Sequence, residues 1–446
     1  MKKLLDSNQC DFATVAMTDT NGLLRGQKVS RKLLEETLEN GMGMAPATLA
    51  LDPTDLILNL PGVTDETADF HDAPLVLDKT SVRKIPWEKN GHDLIFLSQY
   101  SSDAEVLCPR GILSKVLSRV EQLGFMPKYG LELEYTLFDE TPASLKAKGY
   151  RDLQPTTMHA SHDLILYQTF QSDWYAEVSD MCKSLEIDLI KMHEEIGPGF
   201  MEVCTGPGMG LRSADDAVLL KNFLRALAMR KGKTASFMPR WSEAADSQSS
   251  HLHMSLLDKN GEPVFWDEKN KDHMSGSFKY FLGGLQKYLG EFMLIFAPTV
   301  NSYRRFVDGT FAPPALNWGM DNRSACFRVV GKSKNSIRFE NRLPGSDTNP
   351  YLTVAATLAA GISGIEEKID PTKGTSGNAY VPGVSIGPDY IRNISDSIQN
   401  FKTSKLARSW LGDNFVDGFC ATREAQELEF RGKVPDVELM RFFELG

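Results

Sequence analysis

Cysteine is scarce in this chain of 446 residues: six, at positions 10, 108, 182, 204, 326 and 420. No two have the short spacing of a metal-binding pair, and their density is far below that of a disulfide scaffold. Reduced thiols in the cytoplasm are therefore the expectation. Long apolar runs are also missing. The opening Met1-Lys2-Lys3-Leu4-Leu5 meets Asp6 and Asn8 too soon for a secretory leader. The most apolar later stretch, Leu352 to Ile365, is too short to cross a bilayer and is interrupted by glycine. There are no long basic runs, and 49 Lys and Arg against 59 Asp and Glu leave a formal net charge of −10. That balance argues against nonspecific affinity for nucleic acid, and an apolar content of 41% argues against disorder. No strong repeat or low-complexity tract is present. A length of 446 residues is ample for a large core and makes more than one domain, and a soluble enzyme, the expectation.

The pattern of elements divides the chain into a small first domain, residues 1–103, and a larger second one, 104–446. Phe12 to Thr18 reads as a strand, Asp19-Thr20-Asn21-Gly22 as its turn and Leu24 to Ser30 as the returning strand. Arg31 to Asn40 has helical periodicity and stops at Gly41. Leu56 to Leu60 and Leu94 to Tyr100 are expected to complete a small sheet on that helix. Pro109 suits the first turn of a helix from Arg110 to Gly124, which opens the larger domain. The stretch from Pro371 to Gly387 reads as a surface loop, long enough to imply a role beyond connection.

Acids and histidines recur on short strand-like segments. In Gly130-Leu131-Glu132-Leu133-Glu134 alternation puts both glutamates on one face, where their charges repel unless something positive lies beside them; a solvated strand edge is the alternative. Ile187 to Glu195 and Phe200 to Thr205 read as a hairpin around Gly197-Pro198-Gly199, bringing Glu194 towards Glu202. His251-Leu252-His253-Met254-Ser255 places two histidines and a serine on one face, and Arg338-Phe339-Glu340-Asn341-Arg342 embeds one acid between two arginines, a surface suited to phosphate or carboxylate. Glu132, Glu134, Glu194, Glu202, His251 and Glu340 are thus candidate ligands of a two-metal site for phosphoryl transfer. Carboxylates with one imidazole favour magnesium, with manganese tolerated, over structural zinc.

These segments, with Asn301-Ser302-Tyr303-Arg304-Arg305 and Asn322-Arg323-Ser324-Ala325, resemble in order and wording the glutamine synthetase superfamily over nearly the whole chain. The resemblance implies an α+β fold, with an N-terminal β-grasp-like domain and a C-terminal catalytic domain built on a curved antiparallel sheet. It also implies two stacked rings, a homododecamer or homodecamer, in which a neighbour's first domain completes each site. Glu134, Glu194 and Glu202 look like ligands of the metal on the acid-substrate side, and Glu132, His251 and Glu340 like those of the metal at the nucleotide phosphates. Arg323, Arg328 and Arg338 resemble the phosphate-handling arginines, His253 and Ser255 lie on the nucleotide side, and Arg305 and Arg342 resemble the clamp on the acid and its reacting carboxylate. The implied chemistry is transfer of the γ-phosphoryl group of ATP to the side chain of glutamate, then attack of an amine on the γ-glutamyl phosphate.

Departures from the pattern bear on the amine. Members that use ammonia carry Gly-x-Glu-x-Pro in the flap before Asn-Arg-Ser, where this chain has Gly309-Thr310-Phe311-Ala312-Pro313. The Asp-Gly-Ser-Ser sequence of the first domain is replaced by Met42-Gly43-Met44-Ala45-Pro46-Ala47-Thr48. A dehydrated ammonium ion needs acceptors or compensating charge, and a phenyl ring offers only its face. The expected partners are glutamate and a primary organic amine, as in the γ-glutamylpolyamine and γ-glutamyl amide synthetase branch. An aromatic amine enclosed by Phe311, Trp318, Phe200 or Trp241, or plain ammonia, are the alternatives. Arg240-Trp241, the run Asp246-Ser247-Gln248-Ser249-Ser250 and Phe200 also depart from the family, leaving room for another acid. An assembly or regulatory protein, or a kinase that stops at the acyl phosphate, are competing classes.

Overall fold

The computed structural model describes residues 2–60, 63–101, 107–160, 162–307 and 310–445. The expected boundary between 103 and 104, and Gly309 of the flap, lie outside the described residues.

The first sheet has six strands, in the order Leu24–Ser30, Phe12–Thr18, Leu94–Tyr100, Ala73–Leu77 and Met42–Met44, with Arg83–Lys84 pairing to Leu94–Tyr100. Phe12–Thr18 and Leu24–Ser30 form the expected antiparallel hairpin, while Phe12–Thr18 runs parallel to Leu94–Tyr100. The helix Arg31–Asn40 starts where the Ser30 side chain accepts the Leu33 N–H and stops at Gly41, whose φ of +76° suits glycine. The expected strand at Leu56 to Leu60 does not form. Asp52 Oδ1 accepts the N–H groups of Thr54 and Leu56, and Thr64 Oγ1 accepts that of Leu60. These side chains satisfy the backbone locally, leaving a single bridge between Leu51 and Ile57.

The second sheet carries the chemistry. Its nine strands run Trp318–Met320, Phe327–Val330, Arg338–Asn341, Ser250–Asp258, Phe125–Phe138, Phe200–Thr205 and Leu189–Glu194, with Gly208–Met209 and Thr234–Ser236 also paired to Phe125–Phe138. All pairs are antiparallel except Trp318–Met320 with Phe327–Val330. Leu131, Leu133, Tyr135 and Leu137 are buried on one face of the central strand, so the alternate residues are left to the other. Pro109–Gln122, with Cys108 before it, and the buried helix Pro350–Glu367 belong to the helical layer behind the sheet. The hairpin turn of the first domain docks on the second: Asn349 Nδ2 donates to the Asp19 carbonyl at 2.9 Å, and Asn222 Nδ2 to that of Gly22 at 2.9 Å.

Candidate active site

Strand register, not sequence proximity, gathers the polar face. Glu132 stands opposite His251 on one neighbouring strand and Cys204 on the other, Glu134 opposite Glu202, and Glu340 opposite both His253 and Arg328. Partners in register share a face, so these side chains converge on a cleft of about 310 Å³ lined by Glu132, Glu134, Glu202, His251, Glu340 and Arg342. A second cavity of about 250 Å³ shares Glu132 with it and is bounded by His253, Ser255 and Arg338.

Within the cleft His251 Nδ1 lies 3.3 Å from Glu132 Oε2 and 3.5 Å from Glu340 Oε1, and His253 Nε2 lies 2.9 Å from Glu132 Oε1. Burial opposes ionisation of Glu132, but its contacts with the two histidines hold its carboxyl below the usual range. Glu340 is fully buried, touches Arg342, and receives Arg328 Nη1 at 3.1 Å; against burial, the charges of Arg342, His251 and His253 lower its carboxyl to about 2. Glu134 behaves oppositely. Ser249 donates N–H and Oγ–H to its Oε2 at 2.5 and 2.8 Å, yet burial, with the charges of Glu202 and Glu195 added, pushes it up to about 7. Carboxylates packed this closely need positive charge to ionise together. Two groups, Glu132 with His253 and Glu340, and Glu134 with Glu202 and His251, each bring ligand atoms within 4.8 Å of one another. Their oxygen-rich donor sets fit hard divalent cations.

The structure moves two of the expected residues out of the cleft. Glu194 pairs with Met201, so it points behind the sheet, where both carboxylate oxygens are buried without a hydrogen-bond partner among the described residues. Glu195 lines the cleft instead. The four-residue turn 196–199 sets this register: His193 faces Glu202, Glu195 N–H donates to the Phe200 carbonyl at 2.8 Å, and the next cleft-facing position after His193 is 195. Gly199 makes so tight a turn possible; at φ +63° a Cβ there would lie 2.5 Å from the Leu137 carbonyl oxygen. Arg305 is likewise buried, with Nη1 donating to the Leu343 carbonyl at 2.9 Å and Nε without a partner among the described residues, and it is absent from the cleft wall. The segment that follows it folds over its backbone, Thr310 Oγ1 bonding to the Arg305 carbonyl.

Arg323, exposed, reaches both the cleft and an adjoining open hollow lined by Trp318, Gly374 and Asn378. Arg328 is held between Asp321 at 2.6 Å and Glu340, and Arg338 Nε donates to His253 Nδ1 at 3.2 Å. Phe311 stands at the cleft wall with 60% of its surface exposed and φ +55°. Phe200 lines the same cleft, but Trp318 belongs to the adjoining hollow and Trp241 packs edge-on against Phe138. Ser247 Oγ donates to the Thr310 carbonyl at 2.7 Å, tying the divergent serine run to the Phe311 segment. His162, Asp163, Lys191 and His193, which sequence reading missed, also face the cleft. His193 carried a signal, two positions before Glu195 on the strand; His162 and Asp163 sit in an irregular loop and carried none. Burial opposes charge on His193, but its 2.8 Å contact with Glu202 raises it to about 9.

Comparison with known proteins agrees with this geometry. Residues 106–442 match the glutamine synthetase catalytic domain. The chain is 32% identical to type-1 glutamine synthetase 2 of Dictyostelium discoideum, over 97% of this chain and 84% of that protein. It is 29% identical to a glutamate–isopropylamine ligase of a Pseudomonas species, over 100% and 97%, and 30% identical to a gamma-glutamylethanolamide synthetase of Streptomyces coelicolor, over 99% and 94%. Among solved structures, a GmaS–ADP complex superposes with a TM-score of 0.86 at 24% identity, covering 99% of both chains, and establishes the likeness of fold. The chain belongs to the glutamine synthetase family.

Proposed function

We infer that the chain is an ATP-dependent carboxylate–amine ligase, joining the γ-carboxylate of glutamate to a primary organic amine through a γ-glutamyl phosphate. The observation that carries this reading is a cleft that gathers Glu132, Glu134, Glu202, His251, Glu340 and Arg342 and whose wall presents the phenyl ring of Phe311 where ammonia-using relatives have an acid. Relatives named for isopropylamine and ethanolamide chemistry, alike over almost their whole length, support it.

In this reading Glu132, His251 and Glu340 would hold the cation on the nucleotide side, with His253, Ser255 and Arg338 on the wall of the nucleotide cavity. Glu134 and Glu202, with Glu195 in place of Glu194, would hold the one on the acid-substrate side. When bound there, magnesium or manganese would supply positive charge between donor and acceptor oxygens that otherwise repel. Arg323 and Arg328 face the transferred phosphoryl group, and Arg342 faces the reacting carboxylate. Arg305, shut off from the cleft, supports the Leu343 backbone beside Arg342. Phe311, Phe200 and Ile196 give the amine an apolar wall that disfavours its charged form before attack. The same reading divides the chain at 103/104, places it in the cytoplasm and assembles it into stacked rings of ten or twelve subunits.

The test is ADP release and mass detection of the product with glutamate and a panel of ammonia, methylamine, isopropylamine, ethanolamine, putrescine and aniline. At least one organic amine should exceed ammonia in kcat/KM by about tenfold or more, and Phe311→Glu should shift the ratio towards ammonia. Preference for ammonia across the panel, or ADP formed without an amide, rejects the reading. Aniline as the best substrate would favour the aromatic alternative, for which Phe311 and Phe200 on one cleft are the supporting observation.

A further inference from the structure

At the mouth of the cleft lies a set of donors that the ligase reaction uses only through Glu195. His162 and Asp163 come from the loop before the helix Ile165–Phe170; His193 is in the strand Leu189–Glu194, and Glu195 follows it. His162 Nδ1 is 3.4 Å from Glu195 Oε2, and His162 Nε2 is 3.6 Å from Asp163 Oδ2. His193 Nδ1 is 3.5 Å from Asp163 Oδ1 and 3.8 Å from Glu195 Oε1. These separations exceed the roughly 2.7–3.2 Å of a good N–H···O bond. They match instead the spacing of atoms that share an ion: donors at about 2.0–2.1 Å on a tetrahedral cation stand roughly 3.4 Å apart. His162, His193 and Glu195 bring their ligand atoms within 4.8 Å of one another.

A second feature points the same way. Histidines that bind metal through one ring nitrogen characteristically use the other to bond a carboxylate, which fixes the ring. His193 does so, with Nε2 2.8 Å from Glu202 Oε1 and Nδ1 facing the cluster. The competing partner of Nδ1 is the Glu194 carbonyl oxygen at 3.1 Å. The two rings are set at 73° with centroids 6.2 Å apart, so they approach the shared volume from different directions.

We propose that His162, His193, Glu195 and Asp163 form a third cation site, which takes a borderline divalent ion such as zinc or cobalt in preference to magnesium. Two imidazoles favour such ions, whereas the carboxylate-rich groups deeper in the cleft suit hard ones. Glu195 is shared, bridging this site and the acid-substrate cation, and only in that sharing does the proposal rest on the ligase reading. An ion here ties His162 and Asp163 to the strand Leu189–Glu194 on the wall of the cleft that Phe311 also lines.

The experiment loads the full-length protein with zinc in the presence of a large excess of magnesium, removes free metal and measures zinc per chain. One zinc should be retained, and both His162→Ala and Asp163→Asn should weaken its retention by at least about tenfold. Cobalt in place of zinc should give the visible absorption of a low-symmetry site, lost in His162→Ala. His162 is half exposed, so its replacement spares the core. Zinc content and cobalt spectrum unchanged in both variants, or zinc fully displaced by magnesium, overturn the site. Amide formation in magnesium alone is read separately: a chain that makes no amide yet keeps this zinc sinks the ligase reading and not the site.

Discussion

One residue of register separates Glu194 from Glu195, and with it a buried side chain from a cleft-lining one. The sequence offers both as adjacent acids on a strand; the length of the turn 196–199 decides which of them shares the cleft side with Glu202. Glu195→Ala is therefore expected to lower turnover by about 10² or more, the scale of losing one major electrostatic contribution to a transition state. Glu194→Gln, which keeps the volume behind the sheet, should stay within about tenfold of wild type; the reverse order would restore Glu194 to the site. Lys221 offers a test away from the cleft. It is 1% exposed, donates to the Ser346 and Thr348 carbonyls at 2.7 Å each, and burial, reinforced by the Arg225 charge, holds it down at about 7 against an ordinary 10.5. Between those values the unfolded chain binds the proton that the folded chain releases, so this group makes stability rise with pH from about 7 to about 10, by up to about 1.4 kcal/mol per pH unit. Urea midpoints of the wild type should gain on those of Lys221→Met across that window, and parallel profiles would contradict the assignment.

Elements with strong local signals were legible in the sequence. The hairpin Phe12–Thr18 with Leu24–Ser30, the helix Arg31–Asn40 and the strand Phe200–Thr205 fall at the expected residues, because alternation, an N-cap serine and a C-terminal glycine act within a few positions. That Glu132 and Glu134 share a face, as do His251 and His253, was legible for the same reason, since alternation assigns it. The order of strands that brings those faces together comes from pairings roughly 60 to 130 residues apart, and the burial of Arg305 from backbone folding over it; neither leaves a local trace. The loop from Pro371 to Gly387, expected to have a role, ties two parts of the site together. Asn322 Nδ2 donates to the Gly377 carbonyl at 2.9 Å, and Ala379 N–H to Ser324 Oγ at 2.8 Å, on either side of Arg323. Tyr380 donates to the Phe311 carbonyl at 2.9 Å and meets its ring edge-on at 6.1 Å. A left-handed backbone at a phenylalanine costs on the order of 1–3 kcal/mol and persists only where its surroundings hold it. Tyr380→Phe, which keeps the ring and loses the hydrogen bond, should raise KM for the amine several-fold while leaving KM for ATP unchanged, and Tyr380→Ala should do more. An equal rise in both constants would reduce Tyr380 to general support of the fold.

At the scale of the whole molecule, two features call for neighbours. The C-terminal segment leaves Val437, Met440, Phe443 and Leu445 exposed, Phe443 by 83%, an apolar surface of the kind that monomers seldom leave open. The first domain is joined to the second through its hairpin turn at Asp19 and Gly22, yet none of its described residues lines the cleft. The stacked rings proposed above would give it a use: rotation about the ring axis would set one chain's first domain against the next chain's catalytic sheet, repeating one shared site at every boundary. Mass photometry under assay conditions should then give a species of ten or twelve chains. In that assembly the segment Gly43 to Thr48 should cross-link to the Phe311 segment of an adjacent chain. Mixing a Glu340→Ala chain with one altered within 43–48, each inactive alone, should restore part of the activity, because some boundaries then pair an intact first domain with an intact catalytic cleft. A fully active monomer, or mixtures that never recover activity, would leave the first domain with a purely structural part to play.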